Sequence, residues 1–353
     1  MNLLIVVPSF KILGGVANHY MGLHPHWTYY VKYCLQGKRT NLPAVVTLIP
    51  DFIGFILRLI FTKVDVVILN PSLRNYQLSR DSIYCKIARF FGKPVVTFIH
   101  GWDPKVAEHL IENPKKFLNS FGKSKFIYCL YSKFKEDLLK MGVKCPVYLT
   151  TTKVTDKLIE DYNIKTRTGK IKNLLFLARL EENKGIFILL DSYKILKEKY
   201  PDISLTICGT GSAETQAKEY VKKYVLKDVD FKGNVKGEKL IEAFKKADIY
   251  ILPTTHGEGM ATSILEAMAF GLPIISRPVG GVNDFFENGR MGYLIESLNP
   301  EDYAKYIEKL IQNPILTKDI SFYNHEYAVA RFLASKVTQK FEIDLSNQLY
   351  KNN

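Results

Sequence analysis

Residues Pro253–Ile275 read PTTHGEGMATSILEAMAFGLPII. They follow Ala247-Asp-Ile-Tyr-Ile-Leu252, an apolar run of strand length, and from Ala261 to Phe270 they continue in helix formers with apolar residues at helical spacing. The order is strand, glycine-containing loop, helix. Such a junction aims unpaired backbone N–H groups and the positive end of a helix dipole at one point, where an anion, most often phosphate, is stabilised. The N–H groups of Gly259, Met260, Ala261 and Thr262 lie along this turn. Glu258 stands in the loop and Glu266 falls about two helical turns later, so both can face the same point. One carboxylate can accept hydrogen bonds from a sugar's hydroxyls, the other from a ribose's. As an isolated pair they would read only as a turn residue and a solvated helix residue.

The run Glu258-Gly-Met-Ala-Thr-Ser-Ile-Leu-Glu266-Ala-Met-Ala-Phe-Gly271-Leu-Pro-Ile-Ile, with Gly280-Gly281-Val and Gly289-Arg-Met-Gly292-Tyr-Leu after it, resembles the donor-site signature of the retaining family 4 glycosyltransferases (glycosyl transferases group 1) of the GT-B fold. The resemblance covers roughly Leu174 to Ile295 well and the remainder loosely. It implies an α/β protein of two doubly wound Rossmann-like domains facing a central cleft. Residues 1–165 would form the acceptor-binding domain and 166–334 the nucleotide-sugar donor domain. A C-terminal helix, about 335–353, would return to the first domain.

Composition agrees with a folded transferase but does not single one out. At 353 residues the chain exceeds what one core usually serves. A hydrophobic fraction of 47% with 24% charged residues is that of a globular protein. The 49 Lys and Arg against 35 Asp and Glu leave +14, which favours anionic partners: phosphates, nucleic acid or an acidic membrane face. No recognised nucleic-acid module appears and the basic residues are spread, so nucleic acid is not expected as a partner. Five cysteines without a Cys-x-x-Cys pair fit a reducing, cytoplasmic setting without a structural metal. MNLLIVVPSF reads as a first buried strand, not a leader. Leu42–Phe61 carries Pro43, Pro50, Asp51 and Arg58 and reads as too interrupted to span a bilayer.

In the first half, Asn2–Pro8 opens onto Gly14-Gly15, the pattern of a buried parallel strand leading through a glycine loop to a helix. The resemblance places this loop near the donor diphosphate and the acceptor. Between Asn18 and Thr40 aromatic and basic residues interleave, which suits a membrane interface, the lining of an acceptor groove, or a helix with one core face and one solvated face. Phe52–Phe61 reads as a packed helix. Strands are expected over 64–70, 94–100, 125–131 and 145–149. The second ends in His100-Gly-Trp-Asp103, and a histidine just past a strand's carboxyl end is placed for function by topology. The resemblance makes His100 a reaction-centre residue, with Asp103 on the acceptor side. Thr150-Thr-Thr-Lys-Val154 departs from the family's usual Asn-Gly-Val-type turn, and the polar run 150–170 reads as a linker.

In the second half, Lys172–Leu177 leads to Arg179 and Lys184, then Gly185 and a periodic helix from about Ile186. A guanidinium and an ammonium at a strand end can clamp two phosphates, and they match the family's phosphate-binding pair. Ser204–Cys208 precedes Gly209-Thr-Gly211-Ser212, a turn that lacks the third glycine of a dinucleotide fingerprint because Glu214 stands there. In the family this turn lies near the nucleotide. No Asp-x-Asp stands at a strand end, so no metal and no cofactor are expected beyond a nucleotide-sugar cosubstrate, UDP-linked by frequency of use. The resemblance implies retention by same-face attack, the leaving phosphate taking the acceptor's proton. The reading is thus a metal-independent glycosyltransferase acting on a glycan, plausibly a lipid-linked capsule or O-antigen intermediate, with peripheral contact to the inner membrane face. A nucleotide-sugar epimerase and a non-enzymatic sugar- or nucleic-acid-binding protein are the alternatives.

Overall fold

A computed structural model of the chain describes residues 1–11, 14–39, 43–257 and 259–350, the side chains of Asn75 and Tyr350 excepted. The chain divides into two compact units, one of residues 1–153, 258–260 and 334–353, the other of 154–257 and 261–333. Each is an α/β unit built on a six-stranded, all-parallel sheet.

The first unit runs β1 (Asn2–Pro8), α1 (Gly15–Leu23), β2 (Tyr30–Gln36), α2 (Ala44–Phe61), β3 (Val66–Leu69), β4 (Ser72–Leu73), α3 (Asn75–Phe90), β5 (Val95–Ile99), β6 (Gly101–Trp102), α4 (Pro104–Glu112), α5 (Lys115–Leu118), β7 (Phe126–Cys129), α6 (Ser132–Lys140) and β8 (Val147–Leu149). Its sheet has the order β2-β1-β3-β5-β7-β8. Leu3 to Val7 are all buried, as an unbroken apolar run demands when helices cover both faces. The chain leaves β1 in both directions across the sheet, so the switch point lies between β1 and β3. A ligand crevice forms at the carboxyl ends of strands flanking such a point.

The second unit holds β9 (Asn173–Leu177), α7 (Ile186–Lys199), β10 (Ser204–Cys208), α8 (Glu214–Lys223), β11 (Val229–Gly233), α9 (Glu238–Lys246), β12 (Ile249–Leu252), α10 (Thr262–Ala269), β13 (Ile274–Ser276), β14 (Gly292–Leu294), α11 (Pro300–Ile311) and α12 (Pro314–Arg331). The order β11-β10-β9-β12-β13-β14 puts the first strand in the middle and the switch point between β9 and β12. The last helix, α13 (Ala334–Tyr350), belongs to the first unit. Its Ala334, Val337, Phe341 and Leu345 join that unit's core, and Glu342 accepts hydrogen bonds from the Thr28 and Tyr29 N–H groups.

Several expectations need correction. The run 150–170 is not a linker, and position 165 lies inside the second unit. Val154 N–H donates to Phe332 O, Tyr162 Oη donates to Phe270 O at 2.8 Å, and the buried Arg167 guanidinium donates to the carbonyls of Phe244, Ala247 and Phe270. The interleaved stretch is not one helix over residues 18–39. It is the end of α1, a short 3-10 turn and β2, with Tyr20 and Cys34 in the core. Asp103 caps α4, accepting from the Lys105 and Val106 N–H groups, which gives it a structural role. Finally, α2 is long and apolar enough by length and composition to cross a membrane, and only Thr47, Asp51, Phe55 and Leu59 along it are buried. The helix expected of Phe52–Phe61 packs through this one stripe, with Phe55 and Leu59 in the core, and leaves its opposite face exposed.

Removing the Arg167 guanidinium would take its donor from the buried carbonyls of Phe244 and Ala247 and leave Phe270 O with Tyr162 Oη, so Arg167→Ala is expected to destabilise the second unit by about 3 kcal/mol. Chemical denaturation followed by tryptophan-independent circular dichroism measures it.

Candidate functional site

In the second unit the loops after β9 and β12 meet at the switch point. Arg179 and Lys184 stand in the first loop, and residues 253–257 form the start of the second. Backbone and hydroxyl hydrogen bonds tie them together. Thr254 Oγ1 donates to the Asn183 carbonyl at 3.0 Å, Thr255 N–H donates to the same carbonyl at 2.8 Å, and His256 N–H donates to Thr254 Oγ1 at 3.1 Å. Gly185 makes this closeness possible. Its φ is +81°, and a Cβ there would lie 2.2 Å from Pro253 O.

The result is a concentration of positive charge. Lys184 is 4% exposed, and burial, then the neighbouring Arg179 guanidinium, lowers its ammonium pKa to about 8. Arg179 is exposed and pairs with Glu181 at 2.8 Å. His256, which sequence reasoning passed over although it lies inside the opening stretch, is held below the usual imidazole range by burial, Lys184 and Arg179. Its position just past a strand end was the available signal. Three nitrogen bases at one strand edge can receive an anion of more than one charge.

Beyond them, α10 starts at Thr262 with Ala261 as its N-cap, so its first N–H groups have no side-chain cap from that residue. Glu266 is half-buried on α10 and close enough to Tyr250 to help raise the phenol's pKa, burial being the larger cause. Tyr250 Oη in turn donates to Leu177 O at 2.9 Å and lies 2.7 Å from Ser263 Oγ, fastening α10 to the end of β9. Arg179, Lys184, Ala261, Thr262 and Glu266 therefore surround one switch point. A Cβ at Gly209 would strike Ala178 O (1.9 Å) and one at Gly211 Leu180 O (2.3 Å). Their missing side chains let the β10 loop pack on the Arg179 loop. Gly280–Val282 begin a buried 3-10 helix. Glu258 lies outside the described residues, and Gly259 and Met260 group with the first unit.

In the first unit, Gly14 precedes and Gly15 opens α1 after β1, and a side chain at either would meet nothing within 4 Å. Across the switch point, Asn70 follows β3 and His100 follows β5. Asn70 Nδ2 donates to Val6 O at 2.9 Å, which turns Oδ1 towards Tyr20 Oη at 2.8 Å and His100 Nε2 at 3.0 Å. That oxygen can only accept, so His100 carries its proton on Nε2 and presents Nδ1 as an acceptor. Burial, with His19 nearby, holds the His100 pKa well below its ordinary value, so the ring is neutral. His19 is itself buried, its pKa lowered to about 3 by burial and then by Lys153. Its ring stands edge-on to His100, centroids 5.3 Å apart. Asn70 was not singled out in the sequence, and His19 and Tyr20 were read there only as members of the interleaved stretch 18–40. Among the described residues no cluster of three His, Cys, Asp or Glu is placed to hold a metal ion.

Residues 159–326 match the family model for glycosyl transferases group 1. An uncharacterized glycosyltransferase of Methanocaldococcus jannaschii is 34% identical over 163 residues, 45% of this chain and 41% of that protein. The amylovoran biosynthesis glycosyltransferase AmsK of Erwinia amylovora is 28% identical over 229 residues, 63% of this chain and 56% of that one. The chain thus spans about half the length of these curated relatives. Among solved structures, HepE of Anabaena in complex with UDP has a TM-score of 0.74 at 17% identity, covering 98% of this chain and all of that one. The fold is that of the GT-B glycosyltransferases, with two Rossmann-like domains.

Because Gly185 combines a left-handed φ with a backbone neighbour, Gly185→Ala is expected to cost about 2 kcal/mol and to separate the two loops. A lower melting temperature together with faster amide exchange at Thr255 would show it.

Proposed function

We propose that this chain is a retaining, metal-independent glycosyltransferase. It moves a sugar from a UDP-linked donor to a glycan acceptor, a lipid-linked intermediate of capsule or O-antigen type, at the cytoplasmic face of the membrane. The observation that carries this reading is the joining of Arg179, Lys184 and the α10 N-terminus at the second unit's switch point. The family match over the same residues, the amylovoran relative and the UDP in the HepE complex support it.

In this mechanism the donor diphosphate takes the place of solvent around Lys184 and Arg179. Those cations stabilise the negative charge that grows on the departing diphosphate as the sugar gains oxocarbenium character. Glu266 accepts from the ribose hydroxyls and Glu258 from the sugar's. His100, neutral and fixed by Asn70, offers Nδ1 as an acceptor to a hydroxyl of the donor sugar. The acceptor hydroxyl attacks the anomeric carbon from the face the diphosphate leaves, and its proton passes to the leaving phosphate oxygen. Net charge is thereby handled by side chains and backbone dipoles, and chelator treatment is expected to leave turnover unchanged.

Isothermal titration with UDP tests the site. Arg179→Ala and Lys184→Ala are each expected to weaken UDP binding and turnover by about tenfold or more, with Glu266→Ala also losing affinity. Salt-sensitive RNA binding without UDP binding would contradict the reading. The pH dependence follows from Lys184: its charged form is present below about 8 and lost above it, so UDP affinity should fall as pH rises through about 8. Lys184→Arg should flatten that fall.

A further inference from the structure

We infer that α2 docks the first unit on an anionic lipid surface, lying along the bilayer with its outer face among the acyl chains. The sequence of α2 is apolar almost all round, so composition cannot say which side is buried. The structure does. Thr47, Asp51, Phe55 and Leu59, spaced by four, form one inward stripe. Thr47 Oγ1 donates to Gly37 O at 2.8 Å, and Asp51 accepts from Gly37 N–H at 2.7 Å and from Arg39. Phe55 and Leu59 enter the core. These ties hold the helix on the unit's surface, and insertion across a bilayer would break every one of them.

The opposite arc faces solvent. Val45 is 77% exposed, Ile49 70%, Ile53 52%, Leu57 47% and Phe61 76%, one residue from each successive turn, with Val46 beside them. At about 100° per residue these side chains fall within less than half of the helix circumference. Five large apolar side chains in one exposed row exceed the scattered surface hydrophobics that need no explanation. Helix α3 packs against α2 through Tyr84, which meets Phe52 and Phe55, and it carries exposed Ile83 and Phe90.

Charge selects the occupant. Residues 38–93 contain nine Lys or Arg, three Asp and no Glu. All three aspartates are engaged with the unit's own groups: Asp51 as above, Asp65 with Asn2 and Asp81 with Arg80. Lys38 and Lys63 flank the two ends of α2, and Lys86 and Arg89 are exposed on α3. A second copy of this face would bring like charges together. An anionic headgroup layer instead supplies opposite charge at the rim and hydrocarbon at the centre, which is the recognition pattern of an interfacial amphipathic helix. The inference stands on α2 and its surroundings and does not depend on the transfer chemistry.

The test is flotation of the full chain with vesicles of equal phosphatidylcholine and phosphatidylglycerol, and with phosphatidylcholine alone. Wild type is expected to float with the anionic vesicles, less at high salt. The double variant Ile49→Ser/Ile53→Ser and, separately, Lys38→Glu/Lys63→Glu should each lower the bound fraction by about tenfold. Both leave the inward stripe intact, and an unchanged circular-dichroism spectrum and melting temperature of each variant show that it remains folded. Equal flotation of wild type and variants, or indifference to phosphatidylglycerol, would overturn the inference. So would a wild-type dimer in light scattering that Ile49→Ser/Ile53→Ser converts to a monomer.

Discussion

The second unit is organised around a lysine kept nearly out of water beside an arginine. Lys184 would be more stable in solvent. It is buried because Gly185 lets its loop lie against Pro253, and because Thr254 and Thr255 hold the Asn183 carbonyl from the other side. Burial and a like charge both oppose its ammonium form, and the protonation equilibrium records that opposition. The tension is local and has a simple remedy. An anion with two or more charges would favour the ammonium form that burial and Arg179 oppose, so part of the ligand's binding energy is prepared before it arrives. The start of α10, where Ala261 supplies no side-chain cap and which Tyr250 fastens to β9, adds backbone dipoles of the same sign.

The first unit shows the complementary device. Its switch point carries a neutral histidine whose tautomer is fixed by an asparagine, which is fixed in turn by the backbone of β1. Nothing in that chain of hydrogen bonds needs a charge, and His100 lies against Phe98 with His19 edge-on to it. One unit thus gathers cations and the other holds a neutral, fixed hydrogen-bond acceptor. The two tasks fall on two sheets of the same winding, each at the place where strand order reverses.

Much of this was legible in the residues. Continuous apolar runs located most of the parallel strands, because strands covered on both faces need no polar alternation. The pair Arg179 and Lys184 was visible because it stands between a strand and a glycine before a helix. What stayed hidden depends on partners distant in sequence. Arg167 reads as one more cation in a polar run, and only carbonyls at 244, 247 and 270 make it a buried clamp. For α2, apolar on every side, the choice of inward stripe is made by Gly37, which lies outside the helix. The second strand was missed because its aromatic and basic residues resemble an amphipathic helix or a membrane face. Asn70 ends an apolar run and gave no sign of the network it anchors.

The most direct measurement is a crystal structure of the chain soaked with UDP. The account predicts difference density for the diphosphate at the carboxyl edge of the second sheet, between β9 and β12, with phosphate oxygens about 3 Å from the Arg179 guanidinium and Lys184 Nζ. Density at another edge of that sheet, or a diphosphate touching neither residue, would contradict it.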